Sequence, residues 1–288
     1  MGTRRTIRRF RKAYKRIIIV LSAISLVFSQ AEYQVATIPR CATTLSFHNG
    51  FSALNHTSEN SVTSLSYLQY PSQINLLNYS HKKFNLIFLD YGTLENKIDN
   101  NIINQFNAYE CILTFNFNKN IFNLFNLELY AGGLYSKIEK YSSSALLANI
   151  KIKTQIDNIY ASFSIKNVGI IIQSYTKHNL KLPLKSQFSI IKKLKNNQTY
   201  LGYDNVYNFN TDKVEHIISI QTDINNNINL KLSNSNYRNE LLIDNYNSDF
   251  YYGFALGVSI KTNNNSKFDI GICNLGPAGY IYGLTINF

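Results

Sequence analysis

The sequence predicts an all-β fold: a transmembrane antiparallel β-barrel of about 14 strands (roughly 12 to 16 fit the segmentation), preceded by a signal peptide. Three observations predict it. The first 31 residues have the layout of an export signal. The remainder alternates large apolar residues with small or polar ones, several times over segments of 9–12 residues. The chain ends on an alternating strand whose last residue is aromatic.

The leader comes first. Eight of the 29 Lys and Arg lie in the first 16 positions. The run Ile17–Phe28 follows, without a charge, and Ser29-Gln30-Ala31 places small residues at −3 and −1 of a cleavage site. That run is short of the ~20 residues a helical span needs, so residues 1–31 read as a cleaved secretory signal, with an uncleaved anchor as the alternative. No Cys follows the run directly, which sets aside a lipoprotein. The signal and the strands together place the protein in the cell outer membrane. Without the leader the formal charge falls from +12 to +4, with 21 basic and 17 acidic residues. No basic stripe is left for a nucleic-acid partner. A 45% hydrophobic composition excludes a disordered chain, and no apolar run after residue 28 is long enough for a helix bundle.

The barrel is predicted over 62–288. In 250–260, Phe250, Tyr252, Phe254, Leu256, Val258 and Ile260 alternate with Tyr251, Gly253, Ala255, Gly257 and Ser259. Ile159, Ala161, Phe163 and Ile165 alternate with Tyr160, Ser162, Ser164 and Lys166. Tyr109, Cys111, Leu113, Phe115 and Phe117 oppose Ala108, Glu110, Ile112, Thr114 and Asn116. The same pattern holds at 146–153 and 227–233. Charges such as Lys151, Lys231 and Asp269 fall on the second face. Strands of a soluble sandwich average about 5–6 residues, whereas a tilted membrane strand needs about 9–11. The greasy faces are therefore assigned to lipid and the polar faces to the lumen, a secreted sandwich or propeller being the alternative. The predicted strands are 62–69, 73–80, 84–91, 106–117, 124–136, 144–153, 157–166, 184–193, 198–208, 213–223, 226–234, 249–261, 267–275 and 279–288.

Residues 32–61 read poorly as strand. They are assigned as a lumen plug or a periplasmic cover, with an unstructured leader as the plain alternative. Loops are expected at 93–104, 170–183, 194–197 and 235–248. The last is polar and carries Tyr237 and Arg238, the candidate contact for a protein partner. Tyr and Phe, 21 and 18 of them, supply aromatic girdles or ordinary strand packing. At the C-terminus Gly283, Ile286 and Phe288 resemble the terminal-strand signal read by barrel-assembly machinery, while Ile281 stands where that pattern prefers a polar residue. Outer-membrane lipid and that machinery are thus the expected partners.

No chemistry is announced. The five His stand singly, without H-E-x-x-H, G-x-S-x-G or a Gly-rich phosphate loop. A His–Ser pair meeting in space is the remaining enzymatic option, and His216 reads better as an interfacial residue. Cys41, Cys111 and Cys273 are far apart; Cys111 falls on the lipid face and Cys273 on the lumen face. No cofactor or metal is expected. The lumen inventory is mixed: Lys151, Lys153 and Lys166 with Glu110 and Glu128.

Several segments resemble the PorV/PorQ family of type IX secretion barrels, related in fold to the FadL long-chain fatty-acid transporter. They are Ile38-Pro39-Arg40-Cys41-Ala42-Thr43-Thr44-Leu45, Leu89-Asp90-Tyr91-Gly92-Thr93, the stretch 134–145 with Tyr135-Ser136 and Ser142-Ser143-Ser144, Asn167-Val168-Gly169 and Leu182-Pro183-Leu184. The family's Asn-Pro-Ala-containing N-terminal helix is reduced to 53–60 here. The resemblance implies a non-enzymatic accessory of protein secretion with a secretion-system partner. A FadL-like transporter or porin for small or hydrophobic molecules is the rival reading.

Overall fold

The computed structural model describes residues 33–54, 63–98, 101–121, 124–175, 181–194, 198–236, 251–262 and 266–288. The expected leader, together with Tyr237 and Arg238, lies outside these residues. Strands follow in chain order: β1 Thr63–Gln69, β2 Asn75–His81, β3 Phe84–Ile98, β4 Asn101–Ile121, β5 Phe125–Ile138, β6 Tyr141–Ile156 and β7 Ile159–Gln173. The second half is β8 Lys185–Lys193, β9 Thr199–Asn208, β10 Lys213–Asp223, β11 Ile228–Ser235, β12 Phe254–Lys261, β13 Lys267–Asn274 and β14 Tyr280–Asn287. Each pairs antiparallel with its sequence neighbour, and β1 closes on β14 through Leu65↔Ile286 and Tyr67↔Leu284. Closure satisfies the ladder groups that an open edge would leave unpaired, the condition for spanning hydrocarbon.

The period-two pattern sets the faces. Leu256, Phe163, Leu146, Phe115 and Ile270 point outward and are about half exposed. Ser259, Ser162, Ser164, Thr114 and Asp269 point inward and are buried. A one-residue slip would exchange the two sets, so the pattern fixes the register. An exterior this apolar around the whole circumference is the surface of a membrane-spanning barrel, not of a soluble one. Cys111 faces out and Cys273 in, and both are free thiols. His216 faces out, where its Nδ1 sits 2.7 Å from the Tyr203 hydroxyl and its ring stacks on that of Tyr203.

Two loop expectations are corrected. Residues 93–98 and 101–104 belong to β3 and β4, which continue as a hairpin past a register shift between Asp90 and Thr93. Cross-strand pairs hold it: Gln105 donates to Glu95 at 3.2 Å and Thr93 to Asn107 at 3.3 Å. Likewise β7 runs on to Gln173. It does so through a bulge at Asn167, whose φ of 61° is in the left-handed region and whose N–H is received by Asn149 Oδ1 at 2.6 Å.

The two ends differ. Connections at the end holding Thr63 and Phe288 are no longer than five residues, while the other end carries 174–184 and 236–253.

Candidate functional site

Residues 33–54 lie inside the barrel. They form a 3-10 turn Gln34–Ala36, one short helix α1 (Ala42–Leu45) and a compact turn around Phe47–Phe51. Cys41 caps α1: its sulfur accepts from the Thr44 N–H, and the Thr44 hydroxyl accepts from the Cys41 N–H. Phe47 and Phe51 stack at 4.5 Å between ring centroids and are wholly buried.

A trough of three glycines receives α1. Gly257 pairs with Gly271 and Gly271 with Gly283, so three adjacent strands lack side chains at one level. A Cβ at Gly257 would lie 2.0 Å from Ser46 Oγ, and one at Gly271 2.6 Å from the Ala42 carbonyl oxygen. One at Gly283 would lie 3.1 Å from Leu45. Gly202 plays the same part opposite Phe51, where a Cβ would come within 2.4 Å of the ring. Small lumen residues here are a cradle for the plug.

Backbone groups of the plug are answered by lumen side chains. Glu110 accepts the Val35 N–H at 2.8 Å, and Thr285 accepts that of Ala42 at 2.9 Å. Asp204 accepts from Phe51 at 2.6 Å and from Ser52 at 3.3 Å. Ser233 donates to the Ser46 carbonyl at 2.9 Å, and Asn167 to that of Ala36 at 3.2 Å. Lys231, paired with Asp269 at 2.8 Å, also donates to Thr43 at 3.0 Å. Phe51 itself has φ 59°, a conformation unusual for a bulky residue that costs about 1–3 kcal/mol and is held only by such surroundings. The half-buried His48 ring lies 3.9 Å from the Cys273 sulfur, and desolvation pulls its pKa down to about 4.

The lumen is two-layered. Toward the long-loop end, Tyr33, Val35 and Leu45 of the plug pack with Leu68, Leu76, Ile87, Leu89, Ile112, Leu134 and Leu147. Toward the terminal end a cavity of about 650 Å³ remains, walled by Arg40 and His48 of the plug and by barrel residues including Lys151, Lys166, Lys185, Asn78 and Asn126. Lys153 pairs with Glu128. Among the described residues Lys166 meets only a neutral acceptor, Gln187 Oε1 at 2.6 Å, and Gln187 in turn donates to Asp204 at 2.9 Å. Burial lowers the Arg40 pKa from its usual value, as for a charge short of counter-charge.

The residues singled out from sequence are spread across this frame. Gly283 lies in the trough, Phe288 is exposed just beyond β14, and Ile286 pairs across to Leu65 and Phe268. Lys151, Lys153, Lys166 and Glu128 meet at the cavity; Glu110 sits apart, on the Val35 N–H. Asp204, Arg40 and the pairing of Gly257 with Gly271 escape sequence reading. The one available signal is small residues on lumen faces of consecutive strands. Among the described residues no group of three His, Cys, Asp or Glu is placed to hold a metal ion.

No protein-family model matches the chain, and no curated protein matches it. Solved structures similar to it are barrels. The toluene transporter TbuX of Ralstonia pickettii aligns over 78% of this chain and 87% of its own at 6% identity, TM-score 0.46. A porin of Rhodopseudomonas blastica, as a mutant, aligns over 79% and 97% at 7% identity, TM-score 0.39. The KdgM porin aligns over 79% and 98% at 9% identity, TM-score 0.35.

Proposed function

We propose that this chain is an outer-membrane transport channel for small solutes, gated by its own N-terminal segment, with the terminal end toward the periplasm. The observation that carries this is a closed barrel whose lumen is stopped by residues 33–54 through hydrogen bonds and a glycine cradle, while a solute-sized cavity stays open beside them. A purely structural barrel has no use for that cavity. Short turns at the terminal end support the orientation, since outer-membrane barrels keep short turns on the periplasmic side. The test is solute flux in proteoliposomes holding the full chain. Slow flux, raised by Asp204→Asn, supports the reading; no flux from either protein refutes it.

A second reading, an accessory of protein secretion, keeps the support of the PorV/PorQ-like segments and of the apolar seal at the loop end. It predicts a secretion-system partner recovered with the barrel from outer membranes. The cavity favours transport over it.

A further inference from the structure

We infer that the lumen cavity at the terminal end is a binding site for a small multivalent anion, carboxylated or phosphorylated; this names the solute class for the transport reading above and rests on it.

The argument is a count of charges and partners. Eight cationic side chains wall the cavity against three carboxylates, Glu128, Glu215 and Asp269. Each carboxylate is engaged. Glu128 holds Lys153, Asp269 holds Lys231 and Lys267, and Glu215 accepts from Ser235 at 2.6 Å. Among the described residues, Arg40, Lys151 and Lys185 have no carboxylate within ion-pair distance, and Lys166 has only the amide of Gln187. Cations partly withdrawn from water without a counter-charge carry a cost that a bound anion would offset. Four of them come from four elements, the plug, β6, β7 and β8, so the charge surrounds the space instead of lining one stripe.

The rest of the wall mixes neutral polar side chains, mostly Asn and Ser, with apolar ones such as Ile38, Phe84, Ile150 and Val206. Among the described residues, side-chain oxygens of Asn78, Asn85, Asn126 and Ser164 have no hydrogen-bond partner. A wholly greasy ligand would leave them stranded, so the occupant carries polar groups. At about 650 Å³ the space is of small-molecule size. Lys82, Lys83 and Lys119 stand at the rim, where positive charge draws anions in. Arg40 is the one plug cation in this wall, so an occupant would touch the gate directly.

Isothermal titration calorimetry on the full chain in detergent tests this, with citrate and pyrophosphate as anions and sucrose as the neutral control. Binding of either anion and not of sucrose supports the site and identifies the charged group. The Lys151→Met, Lys185→Met double variant should weaken that binding at least tenfold. Binding of neither anion, sucrose binding as tightly, or an unchanged double variant overturns it. Should the double variant not fold, acetylation of the unaltered protein decides: the bound anion should slow modification of Lys151 and Lys185 and leave Lys140 unaffected. Equal modification with and without anion refutes the site. Flux is a separate reading, so anion binding without flux removes the transport function and leaves the site standing.

Discussion

The carboxylate of Asp204, in the middle of β9, accepts the backbone N–H of Phe51 at 2.6 Å, across 153 residues of sequence. This contact ties the strained turn of the plug to the wall. The same carboxylate takes a second plug N–H and the Gln187 amide, so one barrel residue fixes both the plug and the Lys166–Gln187 arm of the cavity.

Asp204→Asn should loosen the plug without opening the barrel. Charge-assisted hydrogen bonds contribute about 1.5–3 kcal/mol, so the docked state loses roughly that much. Faster proteolysis within 33–54, with unchanged heat-modifiable gel migration, is the readout. An unaltered cleavage rate would mean that Asp204 is no latch.

Gly271→Val should expel α1 from its trough. The new side chain meets the Ala42 carbonyl, a backbone atom that cannot swing aside, and overpacking of this kind costs about 1–3 kcal/mol. Single-channel conductance should rise relative to the unaltered chain. Gly133→Ala, where a Cβ has ordinary contacts at 3.9 Å, is the control that should leave conductance alone.

Acid should release the plug. Desolvation in the docked state holds His48 at about 4, against an ordinary value near 6.5 when free. Between those values the undocked segment binds a proton that the docked one excludes. The contribution is therefore complete above about pH 6.5 and shrinks as pH falls toward 4. Proteolysis of 33–54 should accelerate over that window, and His48→Gln should flatten the dependence.

Leu256→Arg should hinder membrane folding by about 2–4 kcal/mol if it lies near the midplane, because its side chain points into lipid. Asn126→Lys, on the cavity wall, should cost far less. Urea titration of refolded barrels measures both, and equal losses would contradict the assigned faces.

How much of this was legible in sequence follows from the physics of each element. Period-two alternation marks strands wherever one face meets hydrocarbon and the other water, which is why the segments at 106–117 and 213–223 sit inside β4 and on β10. It gives no warning where charged and amide residues interrupt the alternation, so 93–98 and 101–104, with Glu95, Asn96, Lys97, Asn101 and Asn104, looked like loop. Gly283 drew notice for its place near the C-terminus. Its packing against Leu45 depended on a register with Gly271 that a single strand does not encode.

By itself the sequence determined the all-β character, a strand count of about 12 to 16 and which side chains of the long strands face out, because these are local consequences of alternation and charge. Only the tertiary structure decided what fills the middle. Whether residues 33–54 cover, trail from or enter the lumen is settled by contacts between positions far apart, such as Val35 with Glu110 and Phe51 with Asp204. Those contacts also leave Arg40, Lys151 and Lys185 lining one cavity, a convergence that exists only after the barrel closes around its own N-terminal segment.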